Sequence, residues 1–414
     1  MNRNILLFMA YRVVSRLYFH LPVLFLLFWS LHAEYSTVTL LLATYSGAST
    51  FAADIAPRLS RVVSAMHLVV LGEGMKSLGL ALLVIGTIPG GVSLPLLFLG
   101  QLLGGAGFAV ALAADGGLLR LVAPSADAKT LGQIQGRTQS MMFIATLVAG
   151  FIGGVLFDHE MHWAFYGGIC ASVASMVVVL FIAEPMPQPE SAPVASAGAP
   201  AEPMTLKLSR TQTIWIGFYA ITRAFALAPF IGLLPLHFAL QKVDPYLFGV
   251  VLGLFTLGGF VVALWGAPVI AWLGPQGGVW VAFGGIVCSL ALFASSDILE
   301  HWGISIFTSS LLGISLLGVA AGAIRPVVTT RLDLRQLTMP QRIMVFGRME
   351  RQFGYLSAFL LICFGQLVER FPITFTFACT VLALLTIVVV SAAWLTLTAP
   401  DKTVASMPRS QGGR

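Results

Sequence analysis

The chain has 414 residues, of which 57% are hydrophobic and only 10% charged, with a formal net charge of +6. A mean hydropathy of +0.91 excludes an ordinary soluble domain, which needs far more polar surface at this length. Most charges fall in connections between apolar runs, which excludes a nucleic-acid partner and leaves the lipid bilayer as the surrounding phase.

Those runs come in blocks of about 20 residues, the length at which a helix crosses the hydrocarbon core. In chain order they predict twelve spans: 13–33, 36–55, 63–86, 94–117, 135–157, 162–184, 213–238, 245–272, 277–296, 302–324, 344–368 and 372–396. A β-barrel would alternate over strands of about 10 residues, and these runs are continuous. The first contains Arg16-Leu-Tyr18-Phe-His20-Leu-Pro22, with Arg12 at its edge. A histidine on an apolar face is usually a structural residue; here a proton relay is the sharper alternative. The third holds Glu73 and Lys76 three residues apart, a self-neutralising pair or a protonatable coupling site at Glu73. The fourth carries Gly100, Gly104, Gly105 and Gly107, a spacing that lets helices approach closely; Asp115 follows, five residues before Arg120. The fifth opens on Gly136-Arg137 and holds Gly153-Gly154, read as packing residues or a hinge.

After the sixth span a Pro/Ala/Ser-rich stretch without aromatics cannot bury a core. The domain reading is a six-helix bundle at 1–184, a linker at 185–211, a second bundle at 212–398 and a tail at 399–414. In the seventh span Arg223 lies deep in the apolar run with Phe225 and Phe230 beyond it. No acid sits within a turn of it, so it meets a substrate anion, pairs with a carboxylate on another helix, or snorkels to the cytoplasmic face. Arg348, Glu350 and Arg351 open the eleventh span.

The halves repeat at an offset of 211 residues: Arg12 matches Arg223, Arg120 matches Arg331, Gly136-Arg137 matches Gly347-Arg348, and Asp158 matches Glu369. With both termini placed in the cytoplasm, nearly every Lys and Arg falls inside and Glu34, Asp158, Glu160, Asp244, Asp297, Glu300 and Glu369 fall outside, the positive-inside pattern. The four cysteines lie within spans without C-x-x-C spacing, and no nucleotide loop, zinc-ligand or nucleophile-elbow motif occurs. We therefore expect no cofactor, no metal and no enzyme activity.

The sequence after the second span, Ala53-Asp54-Ile-Ala-Pro57-Arg58-Leu-Ser60-Arg61, resembles the Gly-x-x-x-Asp-Arg-x-Gly-Arg-Arg loop of the major facilitator superfamily. Arg58 and Arg61 stand on basic positions, whereas Ala53, Pro57 and Ser60 replace the usual glycine, aspartate and glycine. Two six-span halves joined by a linker resemble that superfamily over the whole chain. The resemblance implies an all-α membrane protein of twelve helices with a central cavity lined by the first and seventh, hence by His20, Tyr18, Arg223, Phe225 and Phe230. It implies a cytoplasmic gate from Asp54, Arg58, Arg61, Arg120, Arg137, Arg348 and Glu350, and proton coupling through Glu73 or Asp115. The glycine–proline signature of many drug/proton exchangers is absent from the fifth span.

The function expected is proton-coupled export of a small organic solute (a drug, secreted metabolite or siderophore) by a monomer in the inner membrane. The alternatives are a non-cycling receptor and an importer of a small anionic metabolite.

Overall fold

The computed structural model describes residues 3–60, 62–88, 91–123, 128–182, 208–332 and 339–397, and every regular element among them is helical. Arg61, the linker from 183 to 207 and the tail lie outside the described residues. The chain opens with α1 (Arg3–Val14), a 3-10 turn (Leu21–Val23) and α2 (Leu24–Ser30). The first half continues with α3 (Tyr35–Leu59), α4 (Ala65–Ile85), α5 (Leu94–Val122), α6 (Ala128–His159) and α7 (Trp163–Leu180). The second contains α8 (Arg210–Leu240), α9 (Pro245–Ala294), α10 (Ser296–His301), α11 (Ile306–Arg331), α12 (Met339–Val368) and α13 (Ile373–Leu397).

Among the described residues, ten segments are long and apolar enough to cross a membrane. Two of them lie in α9, divided at Gly274 (φ 71°, ψ 176°), a conformation that glycine adopts without strain. The other two expected spans differ in kind. α3 has the length but is diluted by Ser, Thr, Asp54 and Arg58. The first is not one helix from 13 to 33: it starts at Arg3, breaks after Val14 and resumes at Leu21. Arg12 therefore lies inside the bundle, not at its edge.

The break has a local cause. Pro22 has no N–H to give and its ring would strike the carbonyl of Tyr18 in a continuous helix. The carbonyls released by unwinding find other partners: Lys76 Nζ donates to the Ser15 oxygen (3.4 Å) and Thr146 Oγ1 to that of Arg16 (3.4 Å). Irregular backbone at membrane depth is tolerated where protein groups satisfy it in this way. Gly153 of α6 lies directly against the Phe19 carbonyl, leaving no space for a side chain.

Small residues set the packing within and between halves. A Cβ on Gly79 would lie 2.7 Å from the Gly100 oxygen, so α4 and α5 touch backbone to backbone. The halves meet along α3 with α12 and along α6 with α9. At the second seam Gly154 lies against Tyr246, and Gly249 against Gly150 and Phe151. One apolar cluster spans both halves, from Phe25 and Val38 to Phe238 and Phe248; a second, around Phe8, Leu68, Leu118 and Ile134, belongs to the first half alone. The shared core therefore gathers at the end bearing Glu34, Asp244 and Glu369, here called the far end. At the near end, which carries Arg58, Arg120, Arg210 and Arg331, the cores are separate.

Candidate functional site

A cavity of about 640 Å³ lies between the halves. Its side walls are aromatic and aliphatic, including Phe25, Phe143 and Phe248, with Phe230 stacked on Phe255 at 4.0 Å between ring centres. Four arginines line it, Arg12 and Arg16 from the first half and Arg223 and Arg325 from the second, and no carboxylate does so among the described residues.

Two of these arginines are engaged by acids that are not themselves in the cavity lining. Arg12 is ion-paired with Asp115 of α5, which also accepts from Tyr11 Oη at 2.7 Å. Arg223 Nη1 donates to Tyr219 Oη (2.5 Å), which donates to Glu350 Oε1 of α12 (2.5 Å), leaving Nη1 3.9 Å from that oxygen. The Arg223 guanidinium also lies over Phe353 at 5.0 Å, while its Nε is buried without a hydrogen-bond partner. The other two have no acid partner among the described residues. Arg16 donates to Tyr18 Oη (2.7 Å) and lies 5.3 Å from the Phe108 ring centre; Arg325 lies 5.6 Å from that of Phe346. Arg16 and Arg325 thus give the cavity a positive field within apolar walls, where weak screening makes it effective.

The other sequence candidates are distributed as follows. Tyr18 and Phe230 line the cavity. Phe225 does not: 1% exposed, it packs in the shared core. It stands two residues beyond Arg223, on the opposite side of α8, whereas Leu227, Phe230, Ile231 and Leu234 follow the Arg223 face at helical spacing. His20 lines a side pocket of the first half, with its Nδ1 turned toward Gly168. Glu73 is buried off the cavity wall with both oxygens accepting from Lys76 Nζ, at 2.9 and 2.8 Å.

The expected cytoplasmic cluster is not assembled as one unit. Asp54 reaches across the halves to Arg351 (3.4 Å), while Asp115 and Glu350 turn to the cavity arginines. Arg58, Arg120 and Arg137 are exposed at the near end and Arg348 is half-buried; no ion pair joins these four to an acid among the described residues. Sequence reasoning passed over Arg16 and Arg325 as cavity groups. Arg16 was legible, being four residues from Arg12 on one helical face, where like charges repel unless something holds them. Arg325 was assigned to a loop, but α11 runs on to Arg331.

The far end is closed across the halves. Tyr35 Oη donates to the Gly232 carbonyl (2.7 Å), and the Ser36 N–H donates to Glu369 Oε1 (2.8 Å). Hydrogen bonding from the Ser36 hydroxyl and from its N–H holds the Glu369 carboxyl below its ordinary range. Toward the near end, Gly116, Gly136, Gly217 and Gly347 face open space, and α5 and α11 share no substantial contact.

The description "Major Facilitator Superfamily" matches residues 6–347. Among solved structures, a variant of the nucleoside transporter NupG is similar with TM-score 0.73 at 13% identity, covering 92% of this chain and 98% of that one. A bacterial homologue of the iron transporter ferroportin in its inward-facing state gives 0.71 at 13% identity, covering 95% and 98%. A D-xylose–proton symporter gives 0.66 at 13% identity, covering 92% and 94%. No curated protein sequence matches.

Proposed function

We propose that this chain, which belongs to the Major Facilitator Superfamily, moves an amphiphilic organic anion across the membrane by alternating access. Family and fold make it a membrane-embedded transporter and not an enzyme. The observation that carries the anion reading is the cavity wall itself: four arginines, aromatic sides and, among the described residues, no carboxylate. A guanidinium fork suits a carboxylate, sulfonate or phosphate, and the rings suit an apolar body.

In this reading the chain crosses the membrane twelve times, with α1 and α2 together as one broken crossing and both termini in the cytoplasm. The near end is then cytoplasmic, and the conformation is open inward. Broken helices at a cavity are a recurrent way to present backbone and side chains to cargo in transporters.

Asp115 is the proton site we favour. An anion seated on Arg12 takes the counter-charge from Asp115 and favours its protonated form. Around the carboxylate stand Tyr11, Arg12 and Arg16, with Glu73 and Lys76 lining the same small cleft from α4. Proton and anion then bind together and cross together, so an inward proton gradient drives import. The second reading is proton-coupled export of a neutral amphiphile, favoured by the aromatic walls; it requires proton and cargo to exclude one another.

The discriminating experiment is exchange flux in proteoliposomes of naphthalenesulfonate against the neutral methyl naphthyl sulfone. We expect saturable exchange of the sulfonate alone. Preferred exchange of the sulfone would sink the anion reading.

A further inference from the structure

A second cavity of about 230 Å³ adjoins the central one within the first half and shares Arg16, Tyr18, Leu21, Leu24 and Phe108 with it. His20, Tyr45 of α3, Lys76 of α4 and Gln101 of α5 complete its polar lining. Gln101 is 1% exposed, and neither atom of its side-chain amide has a hydrogen-bond partner. Native interiors rarely leave a buried donor and acceptor both unmet.

Rearrangement cannot readily relieve it. Gly100 rests on the backbone of Gly79 and Gly105 on the Tyr45 carbonyl, which fixes the rotation of α5 about its axis. The nearby charges are engaged elsewhere: Lys76 with both Glu73 oxygens, and Arg16 with Tyr18 Oη. What remains is the planar amide of Gln101, with a donor next to an acceptor, in a pocket that also holds the unpartnered Nδ1 of His20.

We infer that this side pocket binds a planar, uncharged group that itself carries a donor beside an acceptor, a carboxamide or lactam, and that it receives such a group of the cargo. Two antiparallel hydrogen bonds would satisfy both atoms of Gln101. A carboxylate would meet its N–H but set a negative oxygen against its carbonyl, and a hydrocarbon or ketone would leave one or both unmet. The cargo half of the inference rests on the transporter reading; the binding site does not.

The test uses the full-length protein in nanodiscs and equilibrium dialysis with labelled benzamide, competed by benzoate and acetophenone. We expect saturable binding at one site, with either analogue at least tenfold weaker. Gln101→Leu should weaken benzamide at least tenfold, while Arg325→Gln, which touches the central cavity alone, should leave it unchanged. If Gln101→Leu does not fold, the near-isosteric Gln101→Met takes its place. Absence of saturable benzamide binding, or binding indifferent to Gln101, overturns the inference and leaves water as the occupant. Benzamide binding without sulfonate exchange would uphold the pocket and reject the anion-transport reading, and the reverse pattern would do the opposite.

Discussion

Replacing Asp115 with Asn removes one charge and keeps the shape, since the amide carbonyl can still accept from Tyr11. In the native protein an anion reaching Arg12 must compete with a carboxylate whose partner is already seated, both side chains being about one-eighth exposed (14% and 12%). Two unit charges about 4 Å apart attract by about 4 kcal/mol at an effective dielectric of 20. Solvent entering from the open near end screens part of this. Taking about 1.5–2 kcal/mol as the competition that the variant removes, sulfonate should bind roughly 10–30-fold more tightly to Asp115→Asn. The assay is equilibrium binding of naphthalenesulfonate in nanodiscs at neutral pH, where the sulfonate is charged. Glu73→Gln should leave the native affinity unchanged, because Glu73 is tied to Lys76 away from the wall. Unchanged or weaker binding in Asp115→Asn would refute the competition for Arg12.

Three further expectations concern the wall, the far end and the orientation. Arg223→Lys keeps the charge but loses the Nε donor and the stacking on Phe353, so sulfonate affinity should fall about tenfold, or about 1.4 kcal/mol. Arg12→Lys should cost a comparable amount, and an effect confined to Arg223 would contradict the placement of Arg12 on the same wall. At the far end, the Glu369 carboxyl is depressed by the Ser36 hydroxyl and N–H, so its contribution to closure is present above the free carboxylate pKa of about 4.3. That contribution is lost as pH falls through the depressed value. Glu369→Gln should therefore increase labelling of far-end cysteines at neutral pH, and unaltered labelling would dismiss the latch. For orientation, cysteines at Glu160 and Asp297 should react with an impermeant thiol reagent from outside, and cysteines at Ser196 and Arg335 should not. Outside labelling at Ser196 would reverse the assigned topology.

Periodicity and length made most of the helices legible, including the division of α9, because Gly274-Pro275 interrupts an otherwise apolar run. The first span was not legible as a single window: residues 3–14 contain two arginines and read as polar edge, yet they form the helix α1 that precedes the break. The repeat located Arg12 and Arg223 as equivalent residues. It could not locate their partners, because the acids lie on non-equivalent helices. Asp115 matches Pro326 at the repeat offset, and Glu350 matches Gln139. Each half keeps the arginine on its first helix and neutralises it from a different neighbour, a relation that appears only when α5 and α12 are placed in space. Gln101 carried no signal in sequence, since one amide in a glycine-rich span is unremarkable until its partners are counted.

The central claim is that this cavity carries an organic anion together with a proton. Its most direct test is uptake of naphthalenesulfonate, which cannot cross as a neutral acid, into proteoliposomes held more acidic outside than inside. The account predicts transient accumulation above the outside concentration. A proton ionophore should abolish it, as should the double substitution Arg16→Gln with Arg325→Gln. Accumulation that survives both treatments, or none while the neutral sulfone is pumped, would contradict it.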